Sequence, residues 1–110
     1  MTFSPTDLVA TALASCMATV MGIVAERHGW NITGLQCEVE KIMVQDPRRI
    51  GEIRVDLRFP VGRAYDRQTR EILERTARTC PVLESLHPDC KKTLTFHWSP
   101  ADDGQADSAF

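Results

Sequence analysis

The hydrophobic pattern of the first thirty residues predicts one long buried helix. Residues 8 to 25 carry no charge, and apolar or small side chains occupy nearly every face of a helix drawn through them. Ser4 is a suitable N-cap, Pro5 suits the first helical position, and Asp7 completes a capping box with Ser4. Gly29 supplies the left-handed residue at which the helix can end. A helix that is apolar all round must be surrounded by protein, so we expect it at the centre of the fold.

Two strands joined by a tight turn follow this helix. Residues 36 to 44 are rich in strand-forming side chains, and residues 52 to 59 alternate strictly between apolar and charged. The apolar face of the second strand consists of Ile53, Val55, Leu57 and Phe59. Asp46 and Pro47 supply the turn, which favours an antiparallel hairpin whose apolar face covers a helix.

The rest of the chain predicts one more helix and one more strand. Residues 65 to 79 form an amphipathic helix that must end before Pro81, and residues 82 to 86 make a further short turn. Residues 92 to 98 are a last strand, with Leu94, Phe96 and Trp98 on one face. The order of elements indicates an α+β domain over residues 1–98. Residues 99–110 have no periodicity and are expected to be a disordered tail.

Three strands cannot easily bury a helix that is apolar on every face, so a partner subunit is expected to complete its cover. The net charge of −2, with both signs interspersed, argues against nucleic acid or anionic lipid as a partner. The apolar run is preceded by no Lys or Arg and lies at the short end of a membrane span, so neither a lipoprotein signal nor a membrane helix is favoured.

The cysteines carry the clearest chemical signal. Cys16 lies in the middle of the apolar helix, and Cys80 lies where the second helix must end; such a pair would allow a reversible disulfide. Cys37 and Cys90 lie in or beside strands and are interpreted as structural. Cys80, His87 and Cys90 lack the second ligand pair of a zinc site, so no metal is expected.

Three motifs and the order of elements resemble the OsmC/Ohr family of thiol peroxidases. The first motif is Ser-Pro-Thr-Asp-Leu-Val-Ala-Thr-Ala-Leu-Ala-Ser-Cys at residues 4–16. The others are Thr-Cys-Pro-Val at residues 79–82 and Ser-Leu-His-Pro-Asp at residues 85–89. The resemblance spans residues 4 to 98. It implies a cytoplasmic, intertwined homodimer in which a long central helix from each subunit packs on antiparallel sheet.

The resemblance also implies a reaction, the reduction of organic hydroperoxides in oxidative stress defence. Cys16 would be the peroxidatic thiolate, and Cys80 would resolve its sulfenic acid into a disulfide. An external dithiol would then reduce the disulfide. No metal, flavin or nicotinamide site is visible in the sequence, so no cofactor is expected.

The sequence departs from the family pattern around the group that activates the thiolate. In active relatives, an arginine on strands before the central helix contacts the reactive cysteine, and a glutamate at the helix start orients it. Here the chain begins three residues before Ser4, and Asp7 is the best match for the carboxylate. Two interpretations follow: the gene start is placed too late, or the protein lacks this group. Two alternative functions stay open, an inactive dimer that binds a small apolar ligand and a thiol redox sensor.

Overall fold

The computed structural model describes residues 4–61 and 64–98. The elements, in chain order, are α1 (Pro5–His28), β1 (Gln36–Val44), β2 (Arg49–Arg58), α2 (Arg67–Ala77), α3 (Pro81–Ser85) and β3 (Lys91–His97). This is the predicted order, and α3 occupies the predicted short turn. The predicted disordered tail lies outside the described residues.

Helix α1 begins and ends as its sequence predicts. The Ser4 side chain accepts the Asp7 backbone N–H, and the Asp7 side chain accepts the Ser4 backbone N–H, which completes the capping box. Gly29 adopts a left-handed conformation with φ of 75° and ends the helix. These local signals fix both helix ends without help from the rest of the fold.

The sheet has the order β1-β2-β3 and is mixed. Strands β1 and β2 form the expected antiparallel hairpin, with Gln36 opposite Arg58. Strand β3 runs parallel to β2, with Glu52 opposite Lys91. The expectation of an antiparallel sheet is therefore correct for the hairpin only. Strand β3 follows β2 through α2 and α3, and a connection of that length brings the chain back to the same end of the sheet.

The core lies between α1, α2 and the inner face of the sheet. The alternation in β2 and β3 is confirmed, because the apolar positions of both strands are buried. The main buried side chains are Leu13, Met17, Met21, Ile53, Val55, Leu57, Phe59, Leu73, Leu94, Phe96 and Trp98. On the opposite face of the sheet His97 contacts Asp56 at 2.9 Å, as expected for a residue pointing away from the core.

Helix α1 is not surrounded by protein within one protomer, which matches the expectation that three strands cannot bury it. One side packs on the core, whereas Leu8 remains 56% exposed and Ile23 46% exposed. By length and mean hydropathy (2.1) α1 could cross a membrane, but the core helix of a soluble protein meets the same criterion. The exposed positions form an uncharged stripe, defined as Leu8, Thr11, Ala12, Ser15, Thr19 and Ile23.

Candidate functional site

The structure brings together two of the three residues that the sequence singles out. Cys16 lies in the middle of α1 and is half-buried, and Cys80 lies at the N-cap of α3 and is fully buried. The two thiols are close enough for the Cys16 side chain to raise the pKa of Cys80. Two thiols distant in the chain therefore meet where α3 packs on α1.

The chain reaches this position because two helices meet at Cys80. Helix α2 ends at Ala77, and Pro81 begins α3, so Cys80 between them adopts an extended backbone conformation. The Cys80 Sγ then accepts the backbone N–H of Leu83 at 3.4 Å. This bond caps α3 and fixes the direction of the thiol. The proline that the sequence marks as a helix breaker thus also positions the sulfur.

The surroundings of Cys80 favour its protonated form. Burial is the main cause that raises the pKa of Cys80 above its ordinary value, and the hydrogen bond and charge of Cys16 raise it further. The backbone N–H groups of Leu83 and Val82 act in the opposite direction. No cationic side chain of residues 4–61 and 64–98 is among these causes.

Asp7, the third candidate, is not brought to the thiols within the protomer. Its carboxylate accepts the Ser4 N–H and hydroxyl and forms an ion pair with Lys41 at 3.2 Å. Lys41 and Ser4 lower the pKa of Asp7. Asp7 precedes Cys16 by about two and a half helical turns, roughly 13 Å along the axis, on the opposite side of the helix. Lys41 is a contact that sequence reasoning missed, because nothing in the β1 pattern marks it as a partner of the helix start.

The remaining cysteines lie apart from this pair. Cys37 is half-buried on β1, and burial raises the pKa of its thiol. Cys90 is buried, with its Sγ 3.8 Å from the Lys91 carbonyl oxygen. Within the part of the chain that the structure describes, no three His, Cys, Asp or Glu side chains are grouped so that they could hold a metal ion.

Comparisons with known proteins show the family of this chain. The family model for OsmC-like proteins matches residues 1–95. The chain belongs to the OsmC family. A solved OsmC-family structure, from Psychrobacter arcticus and assigned to the osmotic stress induced and detoxification response, is 45% identical. The match covers 86% of this chain and 68% of that chain, with a TM-score of 0.81.

More distant structures share the OsmC fold. The organic hydroperoxide resistance protein OhrB of Bacillus subtilis is 19% identical, over 87% of this chain and 71% of its own, with a TM-score of 0.69. An OsmC-like protein of Mycoplasma pneumoniae is 16% identical, over 89% of this chain and 72% of its own, with a TM-score of 0.70. No curated protein sequence matches the chain. The resemblance drawn from the sequence motifs is confirmed as family membership and fold.

Proposed function

We propose that this OsmC-family protein reduces organic hydroperoxides in the cytoplasm, as part of a defence against oxidative stress. The observation that carries the proposal is the contact between the Cys16 and Cys80 thiols. The similarity to proteins of organic hydroperoxide resistance in Bacillus subtilis and Legionella pneumophila supports the same chemistry.

The proposed reaction has three steps. The Cys16 thiolate attacks the terminal oxygen of ROOH and becomes a sulfenic acid, while the departing alkoxide takes a proton and leaves as ROH. The Cys80 sulfur then attacks the Cys16 sulfur, a disulfide forms, and water is released. An external dithiol exchanges with this disulfide and returns both cysteines to thiols.

We propose a homodimer as the working unit, with the uncharged stripe of α1 as the subunit contact. The stripe carries two large apolar side chains, Leu8 and Ile23, in a region where the sequence has no charge from residue 8 to residue 25. Cys16 lies beside this stripe. The clefts of 530, 560 and 600 Å³ on the described surface are lined by other residues, so the substrate site would be completed at the subunit contact.

A thiol redox sensor is the second candidate, and one observation favours it. The pKa of Cys80 is raised and no cation of the described residues is among its causes, so this thiol would be slow to form a thiolate and to resolve a sulfenic acid. A sensor would form the same disulfide without rapid turnover. The two functions therefore differ in rate rather than in the sulfur atoms involved.

Peroxide consumption separates these candidates. We expect the full chain to consume tert-butyl hydroperoxide catalytically with dithiothreitol as the dithiol, and Cys16→Ser to abolish the activity. Cys80→Ser should allow one turnover and leave a sulfenic acid on Cys16 that dimedone traps. Cys37→Ser is the matched control, since it removes a half-buried thiol outside the pair and should leave turnover unchanged.

The outcomes are distinct. Disulfide formation at one equivalent of peroxide without turnover would assign the protein as a sensor. Inertness of both Cys16 and Cys80 towards peroxide would reject both functions and favour a dimer that binds a small apolar ligand.

A further inference from the structure

A small cleft beside α3 combines two cations with two leucines. Of the described residues, Arg78, Leu83, Lys92 and Leu94 line it, and its volume is about 220 Å³. It lies between the end of α2, the helix α3 and the start of β3. The lining contains positive charge and apolar surface but no carboxylate, which is the composition of a site for an amphiphilic anion.

Lys92 is the unusual member of this lining. Strand β3 alternates, so Lys92 shares the inward face of Leu94 and Phe96, whereas the neighbouring Lys91 lies on the outward face. Lys92 itself is half-buried at this position. The Lys92 Nζ donates to the His87 carbonyl oxygen at 2.9 Å, which is a neutral acceptor. The fold therefore directs a cation towards the cleft.

Arg78 supplies the second cation of the lining. Its guanidinium lies over the Phe96 ring, 5.2 Å from the ring centroid, and its Nη1 is 3.9 Å from Glu74. Glu74 also accepts the Trp98 indole N–H at 3.0 Å, so this carboxylate is shared between two partners. Burial lowers the pKa of Arg78, which means that an added anion would stabilise its charge.

We propose that this cleft binds a short-chain carboxylate, with the carboxylate held by Arg78 and Lys92 and the alkyl chain packed against Leu83 and Leu94. Arginine with lysine is a suitable donor set for a carboxylate, because the guanidinium fork matches its two oxygens. The volume equals that of about seven water molecules and is below the ~300 Å³ of sites for drug-sized ligands. A straight-chain acid of about six carbons fits that size.

The site is independent of the proposed peroxidase function, although it lies next to the thiols. Leu83 joins the two, since its side chain lines the cleft and its N–H binds the Cys80 sulfur. An occupant of the cleft therefore changes the surroundings of the Leu83 amide. That amide reports binding whether or not the protein turns over peroxide.

Titration of the ¹⁵N-labelled full chain with hexanoate tests the proposal. We expect saturable shifts of the Leu83, Lys92 and Leu94 amide resonances. Lys92→Gln should weaken hexanoate binding about tenfold, as for the loss of one charge-assisted contact. Lys91→Gln is the matched control, because it removes the same charge from the outward face and should leave the affinity unchanged.

Two further probes keep the test decisive if Lys92→Gln disturbs folding. Hexanol has the chain without the charge, and inorganic phosphate has charge without the chain; both should bind at least tenfold more weakly than hexanoate. If hexanol binds as tightly as hexanoate, the two cations do not contribute to binding and the proposal is wrong. If phosphate binds as tightly as hexanoate, the two leucines do not contribute and the proposal is also wrong. Unchanged hexanoate affinity in a folded Lys92→Gln protein would also overturn the proposal.

Discussion

Oxidation of the thiol pair should stabilise the protein by an amount that follows from the chain length it closes. A Cys16–Cys80 bond encloses a loop of about 65 residues, and loop-closure entropy then gives about 4 kcal/mol at 25 °C. Disulfides commonly deliver less than this, because native geometry adds strain. We therefore expect the oxidised chain to unfold with a free energy about 2 to 4 kcal/mol above that of the reduced chain.

Urea denaturation followed by circular dichroism measures this difference. The comparison uses Cys37→Ser/Cys90→Ser protein, in which Cys16 and Cys80 are the only thiols left, in oxidised and reduced form. With a slope of about 2 kcal/mol per molar urea, in the middle of the usual range, the midpoint should rise by about 1 to 2 M on oxidation. Protein concentration must be equal in both arms, because association would change apparent stability.

The control adds Cys80→Ser to the same background, where oxidant should leave the midpoint unchanged. The reasoning is refuted if the oxidised and reduced proteins unfold at the same urea concentration. It is also refuted if oxidation lowers the midpoint, because the two sulfurs would then bond only by distorting the native fold. Either result would remove the basis of the proposed reaction.

Three other changes have effects that the structure sets. Gly51→Ala places a Cβ 2.4 Å from a Val44 methyl carbon, so it should cost about 1 to 3 kcal/mol of unfolding free energy by denaturation; a neutral result would contradict this packing. The Asp66 carboxylate accepts the Thr69 N–H, and this hydrogen bond lowers the pKa of Asp66 in the folded protein. The bond therefore stabilises the fold fully above the unfolded pKa of about 3.9, and this stabilisation is lost as the pH falls through the lower pKa of the folded state. Asp66→Asn should therefore flatten the acid limb of a stability–pH curve, and an unchanged slope would refute this. The pKa of Cys80 is raised, so the rate at which Cys80 attacks the Cys16 sulfenic acid should still increase with pH above about pH 8.5 in stopped-flow measurements. A rate that levels off below that pH would contradict the raised pKa.

Much of the fold could be predicted because its signals are local. The capping box at Ser4, the left-handed Gly29 and the strict alternation of β2 each act over a few residues, and each is found where expected. The parallel pairing of β3 with β2 could not be read in this way. The residues of a strand do not indicate which strand it pairs with, or whether the pairing is parallel or antiparallel.

The candidate site, like the fold, could be predicted from the sequence only in part. Cys16 and Cys80 were chosen from their places in predicted elements, and Asp7 from a family pattern. The structure brings the two thiols close to each other. Asp7 instead forms an ion pair with Lys41 of β1, and it lies about two and a half turns of α1 away from Cys16. That ion pair depends on how β1 lies against the helix start, and no sequence signal describes the distance between them.

The sequence by itself determined the order of the elements, both ends of α1 and its uncharged surface, because capping and hydrophobic periodicity are properties of neighbouring residues. Only the tertiary structure decided which side of α1 is covered and which is left exposed. It also decided that Cys80 is buried beside Cys16, and that Lys92 lines a cleft with Arg78. Contact and desolvation arise between residues distant in the chain, so they exist only once the helices and the sheet have packed together.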